Sequence, residues 1–152
     1  MRFHVSCTLL ITFSWAAGHV LHSRVAHIPA RAQHVRTMDA RLSHALQGDG
    51  EVNVTAIETS LTGTFRLTVR KDMHLFMPMA ETPTHYMTFG IDPDLDQAAK
   101  QALRAMIDLI CERKNLSREQ AYALCSIICD LRISQIVNQH KGVHAMLPKE
   151  AL

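Results

Sequence analysis

The sequence predicts an α+β fold in which mostly antiparallel β-strands are followed by a helix pair and a closing strand. Residues 52–91 contain short stretches in which apolar and polar side chains alternate, the period of half-buried strands. Residues 95–129 then carry apolar side chains at helical spacing. Because the strands are grouped before the helices, the order indicates an α+β fold and not a fold of alternating strands and helices.

Four strands are expected before the helices. Residues 52–61 are rich in β-branched side chains, and residues 61–64 supply a turn. In residues 65–70, apolar and polar side chains alternate, which indicates a strand with one wet face. Two shorter strands are expected over residues 74–79 and 85–91, with a loop between them.

The helix pair is marked by capping residues. Asp92 is a good N-cap and Pro93 suits the first helical position. Ser117 and Gln120 have the spacing of a capping box at the start of a second helix. After the helices, residues 131–137 are expected to form the closing strand, and the tail that follows is expected to be a loop.

Residues 1–40 differ in composition from the rest of the chain. They hold five of the ten histidines and no lysine, and no helical or strand period persists. Residues 5–17 are apolar and follow a basic start, as in the core of a signal peptide, but are too short to span a membrane comfortably. An export signal, a short anchor and a segment foreign to the fold stay open, and the break in composition near Arg41 favours the last. We therefore divide the chain into an atypical segment, residues 1–40, expected to be disordered or foreign to the fold, and an ordered part, residues 41–152.

The composition limits the classes of partner that the protein is expected to bind. The net charge is +2 over 152 residues and there is no run of lysine and arginine, so neither a nucleic acid nor a membrane surface is expected as a partner. The four cysteines form no CxxC pair, which favours reduced thiols in a cytoplasmic protein. Export through the weak N-terminal signal is the alternative location.

An acidic turn near residue 50 is the strongest candidate for chemistry. His44, Asp49, Glu51 and Glu58 lie within fifteen residues of one another, and a glycine stands on each side of Asp49. Glycine lets the chain bend tightly, and carboxylates and imidazoles bind metals or transfer protons. We expect Asp49 and Glu51 to be catalytic, and all four residues to be candidate ligands of a divalent metal such as zinc. The alternative is an ordinary turn in which Asp49 accepts backbone N–H bonds.

Six segments carry a resemblance to a known family. In order along the chain they are QGDGEV (47–52), TAIE (55–58), GID (90–92), AYAL (121–124), DLRISQ (130–135) and GVHAMLP (142–148). Together they resemble the C-terminal portion of the acetamidase/formamidase family, over more than two-thirds of the chain. The resemblance implies an amidohydrolase that acts on formamide, acetamide or similar linear amides and releases ammonia. The family's N-terminal half, with its His-Gly-Gly-Asn element, has no counterpart here, so the chain is expected to be truncated and to lack part of the active site.

Other chemical side chains have simpler explanations. His74 and His85 flank predicted strands, and the one-turn spacing of Cys125 and Cys129 in an apolar helix favours packing over soft-metal binding. His144 could line the cleft, but a structural role is the stronger expectation. No Gly-x-Ser-x-Gly elbow is present, which disfavours a serine hydrolase.

Two functions therefore compete. The first is an amidohydrolase with a small amide as its partner. The second is a non-catalytic remnant or an interaction module that pairs with another chain, through apolar surface such as Phe65, Leu67 and Val69. Both functions are compatible with a homo-oligomer.

Overall fold

The computed structural model describes residues 8–9, 34–46, 48–53, 57–67, 69–70 and 75–152, and it describes side chains for residues 48–53 and 75–152. The chain divides into two compact units: residues 1–46 with 57–80, and residues 47–56 with 81–152. The signal, anchor and disorder predictions for residues 1–7 and 10–33 fall outside the described residues and stay predictions.

The first unit consists of paired strands. They are β1 (Thr8–Leu9), β2 (His34–Leu46), β3 (Ile57–Leu67) and β4 (Val69–Arg70). β1 pairs with β4, and β2 pairs with β3, both antiparallel.

The turn predicted over residues 61–64 is wrong. β3 runs through it without a break, and Gly63 lies opposite Met38 of β2. The threonines around Gly63 have high strand propensity, and pairing along the partner strand outweighs one glycine's preference for a turn. β2 begins at His34, within the stretch where the sequence showed no strand period.

The second unit is built on antiparallel pairing and two helices. Its elements, with one strand at the boundary, are β5 (Met79–Glu81), β6 (His85–Asp92), α1 (Leu95–Lys114), α2 (Arg118–Ile128), β7 (Asp130–Gln135), β8 (Lys141–Pro148) and a 3-10 turn (Lys149–Ala151). The sheet order is β5-β6-β8-β7. β8 pairs antiparallel with both β6 and β7. The predicted α+β fold is confirmed.

Two strand predictions need correction. Residues 75–78 are irregular and the strand lies at β5 instead, because Pro78 has no N–H to donate to a ladder. The tail predicted to be a loop forms β8, one of the two inner strands of the four-stranded sheet. Val143, Ala145 and Leu147 are all buried, and their period of two is the signal that the prediction missed.

α1 begins two residues later than predicted. Asp94 is the N-cap, and its Oδ1 accepts hydrogen bonds from the backbone N–H groups of Asp96, at 2.8 Å, and Gln97, at 3.1 Å. Asp92 instead ends β6 opposite Lys141. Strand pairing therefore holds Asp92 in extended backbone, and the second aspartate of the Asp-Pro-Asp segment caps the helix.

α1 packs on one face of the sheet. Thr88 is buried, and its Oγ1 donates a hydrogen bond of 2.8 Å to the carbonyl oxygen of Ala102. A Cβ on Gly90 would overlap the carbonyl oxygen of Ala98 and lie 2.7 Å from the amide nitrogen of Ala102. The glycine in β6 therefore allows helix and strand backbones to approach closely.

α2 begins with the predicted capping box. The Ser117 hydroxyl accepts from the Gln120 N–H, and the Gln120 side chain accepts from the Ser117 N–H. A hydrogen bond from its own backbone N–H and one from the Ser117 hydroxyl hold the pKa of the Glu119 carboxyl below its ordinary value. This contribution to stability is present above the unfolded-state pKa and is lost as pH falls. Among the described residues, neither helix is long and apolar enough to cross a membrane.

Gly90→Ala is expected to lower the free energy of unfolding by about 1–3 kcal/mol, because the added methyl group meets rigid backbone. Gly48→Ala is the matched control, since a Cβ there meets nothing within 4 Å. Urea denaturation of both variants checks the prediction. Equal stability of the two variants would contradict the close approach at Gly90.

Ser117→Ala is expected to cost about 1 kcal/mol of stability, because the N-cap hydrogen bond is lost. Ser126→Ala, at an exposed position in the same helix, is expected to change stability by less than about 0.5 kcal/mol. Thermal unfolding followed by circular dichroism measures both. A Ser126 effect as large as the Ser117 effect would argue against the capping role.

Candidate functional site

The acidic turn lies at the end of β7. Asp49 is exposed and Gly50 has φ +94°, in the left-handed region. A Cβ on Gly50 would lie 3.9 Å from the carbonyl oxygen of Ile133 in β7. The backbone N–H of Ile136 donates to the carbonyl oxygen of Glu51 at 3.4 Å. The turn is therefore tied to the end of β7 by backbone contacts.

A row of three side chains crosses the sheet. In the pairing register, His144 of β8 lies opposite Phe89 of β6 and opposite Arg132 of β7. Directly opposed residues in antiparallel strands share one face of the sheet. The Phe89 and His144 ring centroids are 5.7 Å apart, and His144 is 5% exposed. The imidazole is thus held on both sides by neighbouring strands.

Four residues form a polar cluster: Asp49, Arg132, Ser134 and His144. Oδ2 of Asp49 lies 3.7 Å from Nη1 of Arg132 and 3.9 Å from Nε2 of His144. On the other side of the imidazole, Nδ1 is 2.8 Å from the Ser134 hydroxyl. The cluster thus joins a carboxylate, a guanidinium, an imidazole and a hydroxyl.

Arg132 forms an ion pair with Asp49 of the acidic turn. It also forms an ion pair with Asp130, with 3.4 Å between Nη2 and Oδ2. Both pairs are exposed, and such pairs contribute little to stability. The single guanidinium offsets part of the negative charge of the two carboxylates.

A shallow depression borders the cluster. Its volume is about 400 Å³, and Asp49, Gly50, Val52, Arg132, Ile133 and Ile136 line it. Three of these residues are aliphatic, so the depression combines an apolar wall with one carboxylate and one guanidinium.

The predicted site residues divide between the two units. Asp49 is in the polar cluster, and Glu51 is half-buried beside it in sequence. His44 and Glu58 lie opposite each other in the β2–β3 register, and their side chains are outside the described part. Among the described side chains, no group of three His, Cys, Asp or Glu could hold a metal ion. The four-ligand metal site stays a prediction.

Sequence reasoning did not select Ser134 or Arg132 and gave His144 only a minor role. Two signals could have found them. Arg132 and Ser134 have the spacing of one strand face, and His144 lies in an alternating segment with Val143 and Ala145 on the other face. What the sequence could not supply is the register that brings the two strands together.

Cys125 and Cys129 are free, as are all cysteines among the described residues. The hydrogen bond between their thiols lowers the pKa of Cys125 and, together with burial, raises the pKa of Cys129. Cys125 is buried and Cys129 half-buried. The burial of the pair agrees with the packing role expected from the sequence.

The α+β fold thus carries a cluster of a carboxylate and an imidazole at one face of its sheet. A comparison with protein families matches residues 36–152 to the Acetamidase/Formamidase family. This chain belongs to the acetamidase/formamidase family, as the sequence resemblance predicted.

Solved structures agree with this assignment. An acetamidase from Bacillus halodurans is 37% identical with a TM-score of 0.65, and the match covers 70% of this chain and 36% of that one. An acetamidase from Yersinia enterocolitica is 32% identical with a TM-score of 0.67, covering 70% of this chain and 32% of the other. A predicted acetamidase/formamidase from Thermoanaerobacter tengcongensis is 33% identical with a TM-score of 0.66, covering 70% and 36%. The chain spans about a third of these relatives' length. No curated protein matches it significantly.

Gly50→Ala is expected to destabilise the acidic turn by about 1 kcal/mol, because a Cβ is strained at φ +94°. Gly48→Ala removes the neighbouring glycine without a close contact and serves as the control. Urea denaturation compares the two variants. A smaller loss of stability for Gly50→Ala than for Gly48→Ala would contradict the left-handed turn.

Proposed function

We propose that this chain carries amidohydrolase chemistry directed at small linear amides such as formamide or acetamide, with release of ammonia. Family membership and relatives described as acetamidases support the class. The observation that carries the site is the approach of Asp49 Oδ2 to His144 Nε2, at 3.9 Å. That separation is longer than a hydrogen bond, so a small amide could interact with both groups.

Asp49 is the base in this proposal. Its carboxylate takes a proton from water as the water oxygen adds to the amide carbonyl carbon. It then gives that proton to the amide nitrogen as the C–N bond breaks. The products are ammonia and a carboxylic acid, and Asp49 ends in its starting form.

His144 stabilises the negative charge that develops on the carbonyl oxygen. Its Nε2 lies on the Asp49 side of the ring and, when it carries a proton, can donate to that oxygen, as donors in an oxyanion hole do. Because the imidazole is buried and held between strands, it needs little reorganisation during the reaction. In this proposal, the ion pair with Arg132 keeps the Asp49 carboxylate near His144.

A divalent metal such as zinc, and a catalytic role for Glu51, remain further proposals for the same site. A metal could polarise the carbonyl or activate the water. The steps above require only the chain's own residues, so adding zinc to the assay and substituting Glu51→Gln examine these proposals separately.

The second candidate function is an interaction module that pairs with another chain. The observation that favours it is a set of exposed apolar side chains on α2 and β7: Tyr122 (57%), Ile127 (78%), Leu131 (49%) and Ile133 (39%). A partner chain would cover such exposed apolar surface. Light scattering combined with the activity assay separates the two candidates, because a module would associate without turnover.

Ammonia release from formamide and acetamide tests the proposed chemistry. Asp49→Asn is expected to lower kcat/KM by about 10²–10⁴-fold, the usual contribution of a general base. His144→Phe, which keeps a planar ring but removes the donor, is expected to lower it by about 10²–10³-fold. Asp108→Asn, at an exposed aspartate of α1 that pairs with Arg118, is the control and should keep wild-type activity.

Absence of turnover by the folded wild-type chain, with and without added zinc, would contradict the enzymatic proposal. Full activity in Asp49→Asn would retain amide hydrolysis but remove Asp49 from the reaction.

A further inference from the structure

Ser134 makes a close polar contact with the buried imidazole of His144. Its hydroxyl oxygen is 2.8 Å from Nδ1 of His144, a normal hydrogen-bond length. Its position depends on an irregularity in the β7–β8 register between Ile133 and Gln135. The pairing thus places the hydroxyl of β7 against the ring nitrogen that faces away from Asp49.

We propose that Ser134 is a positioning residue that fixes the tautomer of His144, so that Nε2 carries the proton and faces Asp49. This inference rests on the proposed function for its catalytic meaning, but the hydrogen bond itself can be tested without activity. Ser134 does not touch the reacting atoms in this scheme; it acts through the imidazole.

Groups on both sides of the ring favour the same tautomer, and neither Asp49 nor Ser134 is expected to hold it alone. Neutral imidazole has one N–H donor and one acceptor nitrogen. The Asp49 carboxylate lies on the Nε2 side and accepts hydrogen bonds only, so a lone pair at Nε2 would face negative charge. A proton at Nε2 removes that repulsion. Nδ1 is then the acceptor, and the hydrogen bond that the Ser134 hydroxyl donates to it adds the stabilisation that fixes this tautomer.

The position of the proton on His144 decides whether the imidazole can help catalysis. With its proton on Nε2, neutral His144 offers a donor to the carbonyl oxygen of a bound amide. With its proton on Nδ1, it would offer a lone pair and repel that oxygen. A hydrogen bond that holds the correct tautomer therefore affects kcat more than substrate binding.

Nitrogen NMR of histidine-labelled protein provides the direct readout. In the wild type at a pH where His144 is neutral, Nδ1 is expected to have the shift of an acceptor nitrogen and Nε2 that of a protonated nitrogen. Subtraction of the His144→Phe spectrum identifies the signals among the ten histidines. Ser134→Ala is expected to shift Nδ1 and mix the tautomers, while Ser134→Thr, which keeps the hydroxyl, should restore the wild-type pattern.

The same variants are assayed for amide hydrolysis. Ser134→Ala is expected to lower kcat about tenfold, the effect of one hydrogen bond, with KM changed less than about twofold. Ser134→Thr should recover most of the activity. Ser126→Ala, at an exposed serine of α2, should match wild type in both measurements.

The two proposals fail in different ways. A wild-type spectrum with the proton on Nδ1, or an unchanged spectrum in Ser134→Ala, would overturn the positioning role even if amides are hydrolysed. Inactivity of the wild type would overturn the proposed function, while the expected spectra would still support the Ser134–His144 hydrogen bond. Loss of activity in both serine variants with unchanged spectra would also overturn the positioning role.

Discussion

The antiparallel register of β8 between β6 and β7 is the constraint on which the rest of the site depends. That register sets His144 opposite Phe89 on one side and Arg132 on the other. A slip by one residue would turn His144 to the helix-covered face, because successive strand residues point to opposite faces. Val143, Ala145 and Leu147 are buried on that face, and the free energy of burying them opposes such a slip. Packing against α1 therefore orients a side chain that lies on the other side of the sheet.

The same strands thus pack against α1 on one face of the sheet and carry the polar cluster on the other face. Gly90 in β6 allows the helix to approach, and its neighbour Phe89 contacts the His144 ring. The acidic turn is then attached to the end of β7 by the Ile136–Glu51 backbone hydrogen bond. The proximity of Asp49 to His144 follows from backbone pairing and not from a strong direct bond between the two side chains.

The features that could be predicted from the sequence are those set by local patterns. The alternation in β6 and the Ser117–Gln120 capping box were recognised because each is contained in a few neighbouring residues. The start of α1 was misplaced because Asp92 and Asp94 are equally good caps by sequence, and only pairing with β8 distinguishes them. β3 was broken at a false turn because its partner strand could not be seen.

The candidate site shows the same difference between local patterns and features set by strand pairing. Asp49 stood out because glycines flank a carboxylate, and the family resemblance came from short ordered motifs that the family comparison then confirmed. Ser134 and His144 are ten residues apart and meet only through strand pairing, so no local motif marks them. His44 and Glu58 lie opposite each other in β2 and β3. Their role as metal ligands stays a prediction.

The central claim is that the acidic turn holds Asp49 against the buried imidazole of His144. A crystal structure of the purified chain measures this most directly, through the distance from the Asp49 carboxylate to Nε2 of His144. A separation close to the 3.9 Å found here, with the Ser134 hydroxyl on Nδ1, is the expected result. An Asp49 carboxylate directed into solvent and well separated from the imidazole would contradict the claim.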